Sequence, residues 1–241
     1  MKDVIVKVED LTIAYHDKPV LWDIDVNFIE HSRTAIIGPN GAGKSTLVKG
    51  ILGLQKILSG EIQIMGRNVD QVKNKIAYIP QANAVNWDFP TTVFDVVLMG
   101  RYVHLGWIKR PGRKDREIAA EALEKIGMTE YRDRQISQLS GGQKQRVFIA
   151  RAIAQNAEIY FMDEPLAGVD KRTEKVIIDF LKEAQRQNKT SIVVHHDLST
   201  ISEYYDHVVI LNKKVIAQGR VEEVFTPENL EKASMIGERH V

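Results

Sequence analysis

The sequence contains no cysteine among its 241 residues. It therefore cannot form a disulfide, use a thiolate as a nucleophile or bind zinc through cysteine, and it is compatible with a reducing cytoplasm. Five scattered histidines show no metal-ligand spacing either: His16, His31, His104, His207 and His240. We expect no resident metal site made from these side chains.

The sequence also lacks a long hydrophobic run and a charge excess of one sign. Its apolar stretches, such as 159–162 and 192–194, have the length of strands, far below the roughly 18 residues of a membrane-spanning helix. Its start alternates charged and apolar residues, so no signal peptide is predicted. The formal net charge is +1, which gives no indication of nucleic-acid binding. If the protein works at a membrane, another chain must cross it.

Strand patterns alternate with helical patterns along much of the chain. The apolar strand patterns occur at 4–15, 24–29, 34–37, 61–65, 75–79, 159–162, 191–195 and 207–211. Helical patterns occur at 44–52, 115–126 and 173–187, and the whole region from about 91 to 154 is helical in character. The sequence predicts an α/β fold with a buried parallel sheet and a mainly helical insertion.

A glycine-rich loop follows the apolar run at 34–37 and matches the pattern G-x-x-x-x-G-K-[ST]. With the residue after it, the loop comprises Gly38, Pro39, Asn40, Gly41, Ala42, Gly43, Lys44, Ser45 and Thr46. Its glycines let main-chain N–H groups curl around phosphate oxygens, and the following helix points its positive end at the same charge. Lys44 should reach the β- and γ-phosphates, and the Ser45 hydroxyl should bind Mg²⁺. This context favours a phosphate loop (residues 38–45) over a plain glycine-rich turn.

Two acids end the apolar run at 159–162. A buried strand can carry carboxylates only at its exposed C-terminal end, where α/β sheets bind ligands. Asp163 would hold Mg²⁺ through water, and Glu164 would orient or deprotonate the attacking water. Alone, such a pair is more often a helix cap or a solvated turn. The phosphate loop upstream reverses that preference.

The segment Leu139-Ser140-Gly141-Gly142-Gln143 opens a helical pattern. Its chemistry alone fits an anion-binding helix start and a serine N-cap followed by flexible glycines about equally. Taken in order with the phosphate loop and the acid pair, this signature segment (residues 139–143) makes the chain resemble the nucleotide-binding domain of ABC transporters over essentially its whole length.

The resemblance implies a single ABC ATPase domain over 1–241 with a P-loop NTPase core. That core would be RecA-like and would comprise 1–90 and 156–241, with a mainly parallel sheet and an N-terminal antiparallel β subdomain. An inserted α-helical subdomain over about 91–155 would carry the signature segment.

The resemblance also implies roles for individual residues. Tyr15 resembles the aromatic residue that stacks on adenine, with a strand aromatic in the core as the alternative. Gln81 resembles the glutamine that senses Mg²⁺ and the attacking water, and His196 resembles the histidine that contacts the γ-phosphate, whereas His195 should be a packed or hydrogen-bonded strand residue. The implied catalytic residues are Glu164, His196, Lys44 and Gln81. The implied Mg²⁺ ligands are Ser45, Gln81 and Asp163. The residues implied to reach the ATP of a second copy are Ser140, Gly141, Gly142, Gln143 and Asp170.

One departure from the family pattern concerns the loop before Asp170. Many members have Ser-Ala-Leu-Asp where this chain has Ala167-Gly168-Val169-Asp170. The missing hydroxyl removes one contact expected across the interface and bears on communication between the two sites, whereas the catalytic assignment is not affected.

The resemblance implies a symmetric head-to-tail dimer around two ATP, with Mg²⁺ as cofactor. A small separate ATPase of this kind resembles the motor of a bacterial importer. Such a motor lies peripherally at the cytoplasmic face of the membrane, bound to transmembrane permease subunits, and acts indirectly with a solute-binding protein. The alternatives are a soluble ABC ATPase on a cytosolic machine and an importer ATPase for another small solute.

Three segments resemble the subgroup that imports manganese, zinc or iron, with manganese preferred. They are 86–93, 106–107 and 166–170. The basic segment 101–116 is either a solvated face or a contact for the permease or for anionic headgroups.

Overall fold

The computed structural model describes residues 3–15, 18–81, 85, 90–105 and 109–238. The strands are β1 (Val4–Tyr15), β2 (Lys18–Ile29), β3 (Arg33–Ile37), β4 (Ser59–Ile64), β5 (Ile76–Ile79), β6 (Ile159–Asp163), β7 (Thr190–Val194), β8 (His207–Asn212) and β9 (Lys214–Arg220). The helices are α1 (Lys44–Ile51), α2 (Val69–Val72), α3 (Val93–Leu98), α4 (Arg113–Lys125), α5 (Gly141–Gln155), α6 (Lys171–Arg186), α7 (Ile201–Tyr204), α8 (Val221–Val224) and α9 (Pro227–Glu238).

A six-stranded sheet forms the centre of the fold, in the order β5-β6-β7-β3-β8-β9. The first five strands are parallel and β9 is antiparallel to β8. Every residue of β6 and β7 is buried, as expected for strands covered on both faces. The predicted α/β fold with a mainly parallel sheet is confirmed.

A second sheet of three antiparallel strands, in the order β2-β1-β4, supplies the expected antiparallel β subdomain. The inward residues of β1 share one hydrophobic cluster with α1 and with one face of the six-stranded sheet. Because this cluster is continuous, α1 is held from several sides, and so is the phosphate loop at its start.

The segment between β5 and β6 is helical in its described parts, and α3 and α4 both pack against α5. Arg101 belongs to the basic segment, but its side chain is largely buried. It donates to Asp115 Oδ1 at 3.1 Å and to the Ala154 carbonyl oxygen at 2.8 Å. Arg101 therefore fastens α4 to α5, whereas Lys109 and Arg110 are exposed.

The proposed domain division at about residues 91 and 155 agrees with this element order and stays a prediction. Among the helices of the described ranges, none combines the length and the apolar character needed to span a bilayer.

Candidate active site

The phosphate loop joins β3 to α1 at the carboxyl edge of the parallel strands. Gly43, just before α1, has a φ of 96°, and a Cβ there would collide with the Leu21 side chain. Both facts require glycine at this position. No side chain caps α1, so the N–H groups of its first turn face the loop without a protein cap. Such a helix start suits an anionic ligand.

The other loop residues fall into two groups. Asn40 and Gly41 are exposed at the loop tip, and Thr46 is half-buried in the first turn of α1. Ala42 is buried, and its carbonyl oxygen accepts a hydrogen bond from the Lys213 main-chain N–H at 2.9 Å. The tip therefore remains accessible while its base is tied to the turn between β8 and β9.

Lys44 places a buried cation inside this loop. Its Nζ donates to the carbonyl oxygens of Gly38 at 2.8 Å and Pro39 at 3.0 Å. Burial lowers the pKa of Lys44, and the negative charges of Glu164 and Asp163 oppose that shift. A bound phosphate group would give this buried ammonium group an anionic partner.

Ser45 and Asp163 meet across a sequence separation of 118 residues. The Ser45 hydroxyl donates to Asp163 Oδ1 at 2.7 Å, and Asp163 is the buried last residue of β6. A hydroxyl and a carboxylate are the hard oxygen ligands that Mg²⁺ prefers. The donor set therefore fits a magnesium ion beside the phosphate loop, although the role stays a prediction.

Gln81 and Glu164 form a second contact at the same edge. Gln81 follows β5, and its Nε2 donates to Glu164 Oε2 at 3.3 Å. The contact arises because β5 and β6 are neighbours in the sheet, with Ile79 opposite Met162. Both side chains are half-buried, so a water molecule could reach the carboxylate.

Glu164 has an unusual backbone. Its φ of 48° lies in the left-handed region, which costs a non-glycine residue on the order of 1–2 kcal/mol. Its N–H donates to the Val194 carbonyl oxygen at 3.2 Å, and its carbonyl oxygen accepts from the Ala167 N–H at 3.1 Å. Strained backbone of this kind is concentrated at functional sites.

His196 lies in the turn after β7, next to β3 in the sheet. Its side chain is exposed, and it lines a cavity of 180 Å³ together with Gly38 and Pro39. The fold therefore brings His196 beside the phosphate loop. His195 is buried and hydrogen-bonded, as expected for a residue outside the site.

The signature segment begins α5. Ser140 is the N-cap: its Oγ accepts from the Gln143 N–H at 3.3 Å, and Gln143 Oε1 accepts from the Ser140 N–H at 2.9 Å. Gly141 is exposed with open space around its Cα. Within one chain the segment is a capping box, and its predicted action on a second copy's ATP remains a prediction.

Gly142 packs against the N-terminus of α6. A Cβ there would lie 2.9 Å from Asp170 Oδ2 and 3.1 Å from Thr173 Oγ1. Asp170 is the N-cap of α6, and its two carboxylate oxygens accept from the Thr173 N–H and hydroxyl, both at 2.9 Å. These bonds lower the pKa of Asp170. The predicted contact of Asp170 with a second copy stays a prediction and would have to form beside this cap.

Tyr15 ends β1 and is 40% exposed, so it is not the core aromatic of the alternative interpretation. Its proposed stacking on adenine stays a prediction. Of the segments that suggested metal import, 86–89 and 106–107 lie outside the described residues.

Two residues of α5 for which the sequence predicted no role bind β5, next to the site. Arg151 donates to the Tyr78 carbonyl oxygen at 2.9 Å, and Gln155 donates to that of Ile76 at 2.7 Å. Both bonds fasten the signature helix to β5, the strand that leads to Gln81. Long polar side chains four residues apart in the mainly apolar C-terminal part of α5 (147–155) were the available signal.

Comparison with known proteins places this geometry in a family. Residues 21–167 match the sequence profile described as ABC transporter. The zinc transport system ATP-binding protein TroB of Treponema pallidum is 57% identical, over 95% of this chain and 86% of TroB. The manganese transport system ATP-binding protein MntB of Bacillus subtilis is 55% identical, over 94% of this chain and 91% of MntB.

A solved structure agrees with these relatives. It is a dimeric ATP-binding cassette in a post-hydrolysis state, bound to ADP and Pi, and it is 28% identical with a TM-score of 0.77, over 90% of this chain and 98% of that one. Profile, relatives and structure lead to the same assignment: the chain belongs to the ABC transporter family.

Proposed function

We propose that this chain is the ATP-hydrolysing subunit of a membrane ABC importer that takes up a divalent metal ion. TroB and MntB are ATP-binding proteins of zinc and manganese transport systems, which supports a metal ion as the cargo. Manganese is our first choice, ahead of zinc and iron. The cargo need not touch this chain, because the subunit supplies only the driving force.

The observation that carries the proposal is the meeting of two polar pairs at one edge of the sheet. Ser45 is bonded to Asp163, and Gln81 is bonded to Glu164. A buried lysine lies beside them in a glycine loop at a helix start. A hydroxyl, two carboxylates, an amide and an ammonium group together meet the needs of a nucleoside triphosphate with Mg²⁺.

Each side chain then has a defined task. Lys44 would bind the β- and γ-phosphates, and Ser45, Gln81 and Asp163 would hold Mg²⁺, which when bound supplies positive charge to the phosphate oxygens. Glu164 would orient the attacking water and accept its proton.

The nucleotide would have two further contacts within the same chain. His196 would contact the γ-phosphate from the turn after β7. Tyr15 would stack on the adenine from the exposed end of β1.

A second copy of the chain would complete each site. Ser140 and Gly141 are exposed at the start of α5, where another chain can reach them. A head-to-tail pair gives two complete sites from one intact set of motifs per chain. The related cassette solved as a dimer supports this arrangement. Loss of the γ-phosphate would remove the bridge between subunits and favour opening.

The remaining partners follow from the importer role. The subunit would bind transmembrane permease subunits at the cytoplasmic face of the membrane and would act indirectly with a solute-binding protein. Nucleic acid is not among the expected partners, given the net charge of +1.

Metal uptake by a strain that lacks this gene tests the proposal. We expect poor growth when manganese, zinc and iron are chelated, and rescue by adding back one of the three ions. Wild-type protein should restore growth, whereas Glu164→Gln should not, because it lacks the carboxylate that handles water. Normal metal uptake with loss of sugar, amino-acid or peptide uptake would contradict the metal assignment.

A further inference from the structure

His195, the residue before the exposed His196, has a buried imidazole ring. His195 is 2% exposed, and its main-chain N–H donates to the Ile36 carbonyl oxygen at 3.0 Å, which fixes its backbone to β3. Its ring contacts two hydroxyl groups, those of Thr200 and Tyr205. The proposed chemistry makes no use of this side chain, so its burial beside the site needs another reason.

The bond from Thr200 to the Asp197 carbonyl oxygen sets the direction of the bond between Thr200 and His195. Thr200 Oγ1 donates to the Asp197 carbonyl oxygen at 3.1 Å. A hydroxyl carries one proton, so Thr200 must accept from His195 Nε2, which lies 2.8 Å away. His195 Nδ1 can then accept from the Tyr205 hydroxyl at 3.4 Å. The ring then carries a proton on Nε2. Burial lowers the pKa of His195, which favours the neutral ring with Nδ1 as the acceptor.

This chain of bonds spans the switch turn (residues 196–200). Packing contributes little to holding the turn, since Leu198 is 45% exposed. The turn also borders the cavity of 180 Å³, which is lined by His195, by the phosphate loop and by Leu230 and Ala233 of α9. The turn therefore has room to move. The Thr200 main-chain N–H closes the turn on the Asp197 carbonyl oxygen at 3.4 Å, and the bond from His195 to Thr200 ties this closed turn to the sheet.

We propose that His195 is a positioning residue for ATP hydrolysis. As the neutral Nε2–H tautomer it holds Thr200, and through Thr200 the carbonyl of Asp197, so that His196 stays beside the phosphate loop. This inference rests on the proposed function, because it requires His196 to act on ATP. Losing the bond should lower kcat, while the KM for ATP, set mainly by the phosphate loop and Tyr15, should change little.

Paired substitutions at Thr200 and His195 test the bond itself. Thr200→Val keeps the shape and removes the hydroxyl, and His195→Asn is too short to reach Thr200. Each should lower kcat about tenfold, the scale of one well-placed hydrogen bond, with KM within about twofold. Thr200→Ser and His195→Gln keep a hydroxyl and a donor near Nε2, and they should retain most of the activity. Equal losses in all four variants would overturn the proposal.

Two controls separate this inference from the proposed function. Ser32→Ala removes a fully buried hydroxyl, bonded to the Ile29 carbonyl oxygen at 2.6 Å, at the far end of β3. Both Ser32→Ala and Thr200→Val should lower Tm, but Ser32→Ala should leave kcat unchanged. A fall in kcat in Ser32→Ala similar to that in Thr200→Val would overturn the positioning role. His196→Ala should abolish hydrolysis. Retained hydrolysis in His196→Ala would contradict the proposed site. Loss of hydrolysis in His196→Ala together with a full kcat in Thr200→Val would overturn only the role of His195.

The tautomer can be measured without nucleotide or turnover. Ring ¹⁵N NMR spectra of the wild-type protein, with the His195 signals assigned by their absence in His195→Gln, should show a neutral ring protonated on Nε2 near pH 7. A ring protonated on Nδ1, or an equal mixture of tautomers, would contradict the bond to Thr200 even if a variant failed to fold.

Discussion

Asp163 and Glu164 are neighbours in sequence with different surroundings. Asp163 completes a buried strand and accepts from Ser45, while Glu164 turns away on a left-handed backbone and accepts from Gln81. The order of an apolar run and two acids was sufficient to predict both as site residues, because a buried strand tolerates charge only at its end. Their separate contacts depend on two neighbouring segments and were not predictable from that run.

Tyr15 provides a prediction at this scale. Tyr15→Ala should weaken ATP binding by about 1–3 kcal/mol, the scale of base–aromatic stacking, while Tyr15→Phe should have a small effect. Because Tyr15 is half-exposed, truncation should cost little stability. Tyr102→Ala, at a more exposed tyrosine in the helical region, is the control and should leave binding unchanged in titration calorimetry. Equal effects of Tyr15→Ala and Tyr15→Phe would remove the stacking role.

At the scale of elements, the sequence predicted those with strong periodicity and missed those without it. Strand β1 and helix α5 were predicted because alternation and a capping serine define them. Strand β9 was missed because its residues are all half-buried or exposed and it contains a glycine. Helix α9 was missed as well, because among its described side chains (227–234) only Ala233 is buried and the apolar periodicity is weak.

The junction of α5 and α6 gives the second prediction. In Gly142→Ala the new methyl group would press on Asp170, which is already held by two bonds to Thr173, so we expect a destabilisation of about 1–3 kcal/mol. Gly141→Ala meets open space and should change stability by less than about 0.5 kcal/mol. Denaturant unfolding compares the two. An equal change in both variants would show that the close contact is not what requires glycine at 142.

At the scale of the whole molecule, one chain carries every predicted motif but places them in two separate regions. The phosphate loop, the acids and His196 share the carboxyl edge of the central sheet, whereas the signature segment starts a helix of the insertion. The sequence predicted the motifs and their order. The serine N-cap that the sequence offered as the alternative is present, because Ser140 and Gln143 form a capping box within the chain.

The mass of the Glu164→Gln protein in solution tests the central claim most directly. With MgATP, light scattering should give twice the chain mass of 27.3 kDa, because slowed hydrolysis preserves the bridge between subunits. With MgADP the protein should remain a monomer. Adding Ser140→Arg should return the MgATP sample to a monomer that still binds ATP, since the exposed Ser140 would no longer contact the second copy's nucleotide. A monomer in MgATP, or a dimer that persists with Ser140→Arg, would contradict a site shared between two copies.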